Sequence, residues 1–200
     1  LMEDFDRIPD VEREMAELSH LQLQVGIFGD DGSFMQMIAS ANEYGADIEP
    51  KNGKWLTIPT ENAPKGAKAQ DIEGLFRPKD KNILAVSDGK GGLIPMFYLV
   101  KKVHIPERSF IRSTFDEKVD DWIEYIVDRV VDLGMGESRA TAREIMEGLG
   151  IRIQRDIQNK IRSIESPANA PATIARKGSS SPLEDTGHLL QAVTYKVVNV

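Results

Sequence analysis

The sequence predicts an α+β fold: a small, mostly antiparallel sheet with two long helices packed on one face and a loop-rich insertion. Three observations predict it. Apolar residues alternate with period two over 21–27 and again over 191–199, near opposite ends of the chain. Between 114 and 164 they recur instead at steps of three and four, the spacing of amphipathic helices. Between 46 and 100, prolines and glycines interrupt short apolar runs. Two hundred residues suit one α+β domain, 1–200, with a loop or hairpin insertion at 46–100.

Taken in order, Val11, Met15 and Leu18 mark a short amphipathic helix in the acidic first nineteen residues, with Pro9 in its first turn. Leu21, Leu23, Val25 and Ile27 alternate with polar or small residues, so a strand with one buried face follows. Gly29-Asp-Asp-Gly32 reads as a turn and Ser33 as an N-cap for a helix over roughly 34–43, which Gly45 ends in a left-handed cap. Trp55–Pro59 is a short strand within loops. Ile83–Val86 and Leu93–Val103 are strands joined by Ser87-Asp-Gly-Lys-Gly-Gly92, a hairpin signal, and Pro95 requires an edge or a bulge.

The first long helix spans roughly 114–133, with Phe115, Val119, Trp122, Ile123, Ile126, Val130 and Leu133 on its buried face. Ser113 or Thr114 caps it, and Glu117 would complete a capping box from Thr114. The second runs roughly 138–164, and Gly148 and Gly150 within it mark a kink or a close helix–helix approach. Residues 165–183 read as extended, and a last strand covers 191–199.

Composition narrows function. The chain has no cysteine, so disulfides and cysteine chemistry are out, which fits a reducing cytoplasm. Its net charge of −7 opposes general nucleic-acid binding. No apolar run approaches the roughly 20 residues of a membrane helix, and the acidic start resembles neither a secretory signal nor a transit peptide. His20, His104 and His188 lack metal-ligand spacing and read as structural or exposed. Gly29–Ser33 fits a turn and helix cap better than a cation or phosphate site. Ser87 and Lys90 match a Ser-x-x-Lys pattern, but in a hairpin and without partner motifs. No catalytic, cofactor or metal residues are therefore assigned.

Charge is uneven. Residues 1–19 carry a local −5 and residues 151–181 a local +4. Two solvated faces, a head-to-tail contact between subunits, and a DNA contact through the basic 152–177 region all remain open. Arg108 and Arg112 flank a connector stiffened by Pro106 and are expected near an exposed corner, where an arginine can hold a neighbour's carboxylate.

Four segments carry a resemblance. They are Val25–Gly29 with Ile38–Gly45, then Ile105-Pro-Glu-Arg-Ser-Phe-Ile-Arg112, then Thr173-Ile-Ala-Arg-Lys-Gly178, then Leu183-Glu-Asp-Thr-Gly-His-Leu-Leu190. In this order the chain resembles the neck and tail-completion (virion morphogenesis, head–tail joining) proteins of long-tailed bacteriophages. The resemblance implies a structural virion protein at the head–tail junction, made in the host cytoplasm, with no enzymatic activity and no cofactor. It implies self-association into a homo-hexameric ring, with tail tube, terminator and head connector proteins as partners. It implies interface or signature roles for Arg108, Phe110, Arg112, Arg176, Lys177, Asp185, Thr186 and Gly187. The stretch 46–100 exceeds what compact members of that family need.

Overall fold

The computed structural model describes residues 7–29, 33–184 and 186–200. Helix α1 (Ile8–Leu18) leads into strand β1 (Leu21–Ile27), helix α2 (Ser33–Tyr44) and strand β2 (Ala46–Ile48). The middle of the chain holds β3 (Leu56–Pro59), a 3-10 turn (Ala69–Asp71), β4 (Ile83–Ser87), β5 (Leu93–Val100) and β6 (Val103–Ile105). Helices α3 (Arg112–Gly134), α4 (Ala142–Ser163), α5 (Pro171–Lys177) and α6 (His188–Ala192) precede the last strand, β7 (Val193–Asn199).

The α+β class and the antiparallel pairing hold. The strands, however, form three small sheets. β1 pairs with β7 from Leu21 opposite Asn199 to Ile27 opposite Val193. β2 pairs with β6, and β3, β5 and β4 make a three-stranded sheet with β5 central. The expected single strand 93–103 breaks because the chain turns at Lys101–Lys102, which sends β6 to β2. Pro95 sits opposite Ala85, where the register shifts between Leu84 and Ala85; a bulge lets a proline occupy a central strand. The insertion is thus largely a sheet.

The two long helices stack in sequence instead of side by side on one sheet face. α4 lies across β1 and β7, and α3 packs on α4. The main core forms where α4, α6 and β7 meet, around Phe110, Ile157, Ile161, Leu189 and Val193. α4 is unbroken through its glycines. At Gly150 a Cβ would run into the Tyr195 ring, so the close approach there is helix to strand. At Gly148 a Cβ would meet the Tyr125 hydroxyl of α3.

Residues 165–183, expected to be extended, contain α5. Pro171 opens it and Gly178, at φ 72°, ends it, a proline-first, glycine-last pattern with helix-forming alanines between. The final strand starts at Val193, because α6 occupies the residues before it. Gly45 turns α2 into β2 at φ 71°, and a side chain there would press on the Glu107 backbone. The Gly29–Gly32 turn falls largely outside the described residues. Among the described residues, no helix is long and apolar enough to cross a membrane.

Candidate functional site

The connector from β6 to α3 is organised by one carboxylate from elsewhere. Glu43, in the last turn of α2, is 4% exposed. Its Oε1 accepts from the Ser109 hydroxyl (2.7 Å), the Arg112 N–H (2.9 Å) and the Arg112 Nε (3.1 Å). Its Oε2 accepts from the N–H groups of Phe110 (2.7 Å) and Ile111 (2.9 Å). Helix α3 therefore begins earlier than expected, and a residue far away in sequence caps it. Thr114 and Ser113 turn their hydroxyls back to the Phe110 and Ser109 carbonyls instead. The free amides at a helix start bear partial positive charge, which an ionised carboxylate complements. Burial alone would raise the Glu43 pKa. The Ile111 and Arg112 amides, with the Ser109 hydroxyl and Phe110 amide, outweigh it and hold the carboxyl below its ordinary range.

Arg108 and Arg112, alike in sequence, part company here. Arg108 is 5% exposed. It donates from Nε to the Pro167 carbonyl (2.6 Å) and from Nη2 to the Ala168 carbonyl and Asn169 Oδ1 (both 3.2 Å). Burial pushes its guanidinium below its usual pKa. The expectation of an exposed Arg108 is corrected: it staples the loop after α4 to the connector. Phe110 is fully buried in the core. Arg112 stays half-exposed, donating from Nη2 to the Glu43 carbonyl and the Glu107 carboxylate (2.7 Å each), with its guanidinium 4.5 Å from the Tyr44 ring centre.

The closing segment is partly gathered. Arg176, Lys177 and Thr186 share a shallow cleft with Pro64, Lys65 and Gly66 of the insertion. Lys177 donates to the carbonyls of Ser181 and Pro182, which fixes the chain after α5. Gly187, at φ 77°, provides the left-handed residue before α6. Asp185 lies outside the described residues. Lys177, Thr186 and Gly187 also line a second cleft with Asn42 and Asn169, both hydrogen-bond partners of Arg108, so the closing segment adjoins the connector there.

The acidic start is also partly structural. Arg7 donates to the carbonyls of Gly136 (2.5 Å) and Ser138 (2.8 Å) just past the end of α3. Glu14, 9% exposed, accepts the Ala142 N–H (2.8 Å) at the start of α4. A cation at one helix end and an anion at the next helix start both suit the helix dipoles, so α1 clamps the α3–α4 turn. In the basic stretch, Lys160 pairs with Glu117 and Arg152 lies over the Tyr125 ring.

Ser87 accepts the Gly89 N–H, and Asp88 accepts those of Lys90 and Gly92, so this motif builds the hairpin turn. His104 bonds exposed Asp47 at 2.8 Å. Among the described residues, no three His, Asp or Glu side chains are grouped to hold a metal ion.

The feature that sequence reading missed is the outer face of α3. Phe115, Val119, Ile123, Val127, Val131 and Met135 follow one another at steps of four, forming a single ridge. Five of the six are 49–71% exposed, and Val119 is half-buried. Phe115 and Ile123 are expected inside, but the buried residues of α3 are Thr114, Trp122 and Leu133. Beside the ridge runs a second, acidic one: Asp116, Asp120, Glu124, Asp128 and Asp132. Among the described residues, only Asp132 of these has an ion-pair partner, Arg129 at 3.7 Å. The step-of-four repeat is the signal, and only Phe115, Val119 and Ile123 of its six residues belong to the expected core face. No protein-family model matches the chain, and no curated protein or solved structure matches it.

Proposed function

We propose that this chain is a structural virion assembly protein that completes a phage tail or joins it to the head through ring-forming self-association. The observation that carries this reading is the exposed apolar ridge of α3 beside its row of carboxylates. An apolar strip of this length with a charged margin suits a protein partner better than solvent. The ordered segments that resemble neck and tail-completion proteins supply the setting: a six-subunit ring at the head–tail junction, with terminator or connector proteins on either side. The role is structural, with no cofactor.

The alternative, a nucleic-acid-binding module at 152–177, has less support. Lys160 and Lys177 hold internal partners, and Arg152 is stacked on Tyr125. The test is electron microscopy of lysates from a phage or prophage lacking this gene. DNA-filled heads beside separate tails are expected. Tails of abnormal length would move the protein to tail termination, and intact virions would overturn the reading.

A further inference from the structure

The ridge on α3 needs an occupant with apolar surface and positive charge. The three-stranded sheet of this same chain offers both. Ile58, Tyr98 and Ile83 stand directly opposite one another across β3, β5 and β4, so they share a face. Phe97 and Leu99, their neighbours on the other face, are buried, whereas Tyr98 is 42% exposed. The start of β3, the end of β5 and the start of β4 fall at one end of this sheet, because the strands are antiparallel. That end carries Lys54, Lys101, Lys81, Lys79 and Arg77 against one carboxylate, Asp80, with Arg77 and Lys101 on the Trp55 ring. Residues 46–102 hold ten basic and seven acidic residues, a net +3, against seven acidic and three basic in α3.

We propose that the acidic–apolar face of α3 docks on the three-stranded sheet of a second copy of this chain. This rests on the self-association reading and names its two surfaces. The open part of that sheet face is the Ile58–Tyr98–Ile83 row and the basic end beside it, since Ala85 and Met96 farther along are buried. The ridge from Phe115 to Met135, about 30 Å long at 1.5 Å per residue, is long enough to cover both. Pairing α3 with another α3 would set two carboxylate rows together, and like charges across an interface oppose binding. The exposed face of α2, with Phe34, Met37 and Tyr44, carries no lysine or arginine to meet the acidic row.

Because the two surfaces differ, the contact is head-to-tail. Each copy offers one surface forward and one back, so the chain of contacts closes into a ring if the rotation permits. A strip about 30 Å by 10 Å is about 300 Å², well below the roughly 800 Å² per partner of a standard stable interface. A pair is therefore weak, and ring closure, which gives every copy two contacts, stabilises the assembly.

The absence of cysteine makes the test clean. Val127→Cys and Tyr98→Cys chains of different tag length are mixed at high concentration and oxidised, with circular dichroism to verify folding. The expected result is a mixed 127–98 disulfide that exceeds both same-site dimers. Asp120→Lys with Asp128→Lys on the Val127→Cys chain should cut its yield at least about tenfold, and Lys81→Glu with Lys101→Glu on the other should restore part of it. A dominant 127–127 disulfide, no cross-link, or a yield indifferent to charge reversal would overturn the proposal. Rings seen by microscopy without a 127–98 link would sink the docking and leave the assembly role standing. A 127–98 link alongside normal virions from the deletion would do the reverse.

Discussion

Glu43 is the residue on which the connector depends. Its folded pKa is depressed, so its contribution is complete above the unfolded carboxyl pKa and is lost as pH falls through the folded one. Denaturant unfolding across an acid pH series should show that loss in the natural chain. Glu43→Gln should cost about 2–4 kcal/mol near neutral pH and flatten the acid dependence, since bonds to a charged acceptor are worth about 1.5–3 kcal/mol each at most. Arg108 and Arg112 make a second contrast. Arg108→Ala removes the hydrogen bonds by which a nearly buried guanidinium holds the 167–169 loop, and should cost about 2–3 kcal/mol. Arg112→Ala, at a half-exposed side chain, should cost under about 1 kcal/mol in the same measurement. Sequence alone could not separate these arginines. What buries Arg108 is the 167–169 loop, about sixty residues onward, and nothing local announces it.

At the scale of elements, most helices and strands were legible because their apolar periods are local. β1, α2, the hairpin and both long helices fall within a few residues of where spacing puts them. The misses have physical reasons. α5 hid because serines and prolines around it read as loop, although Pro171 and Gly178 bracket a helical Ala-Thr-Ile-Ala run. Division into three sheets depends on where the chain turns at Lys101–Lys102, which periodicity does not encode. The two glycines of α4 also differ. Gly148→Ala should raise stability by up to about 1 kcal/mol, because helix propensity improves and the Tyr125 hydroxyl can swing away. Gly150→Ala should lower it by about 1–3 kcal/mol, because the body of the Tyr195 ring is in the way. Thermal unfolding of the two variants decides between these signs.

At the scale of the molecule, the charge contrast legible in the sequence lay between the chain's ends, but the fold redistributes it. Arg7 and Glu14 serve helix ends, and a second opposition lies between the carboxylates of α3 and the basic end of the three-stranded sheet. If that opposition steers assembly, rising salt should weaken self-association, because exposed charges are screened beyond about 8–10 Å at physiological ionic strength. Sedimentation at stepped salt concentrations measures it; association that strengthens with salt would point to a purely apolar contact. One more consequence comes from the pairing of β1 with β7. During synthesis at about 5–20 residues per second, β1 leaves the ribosome on the order of ten to thirty seconds before its partner exists. For that interval the backbone edge of β1 has no strand to pair with, and Leu21, Leu23, Val25 and Ile27 stay uncovered until residues 193–199 arrive, the state in which a strand is most open to pairing with another chain.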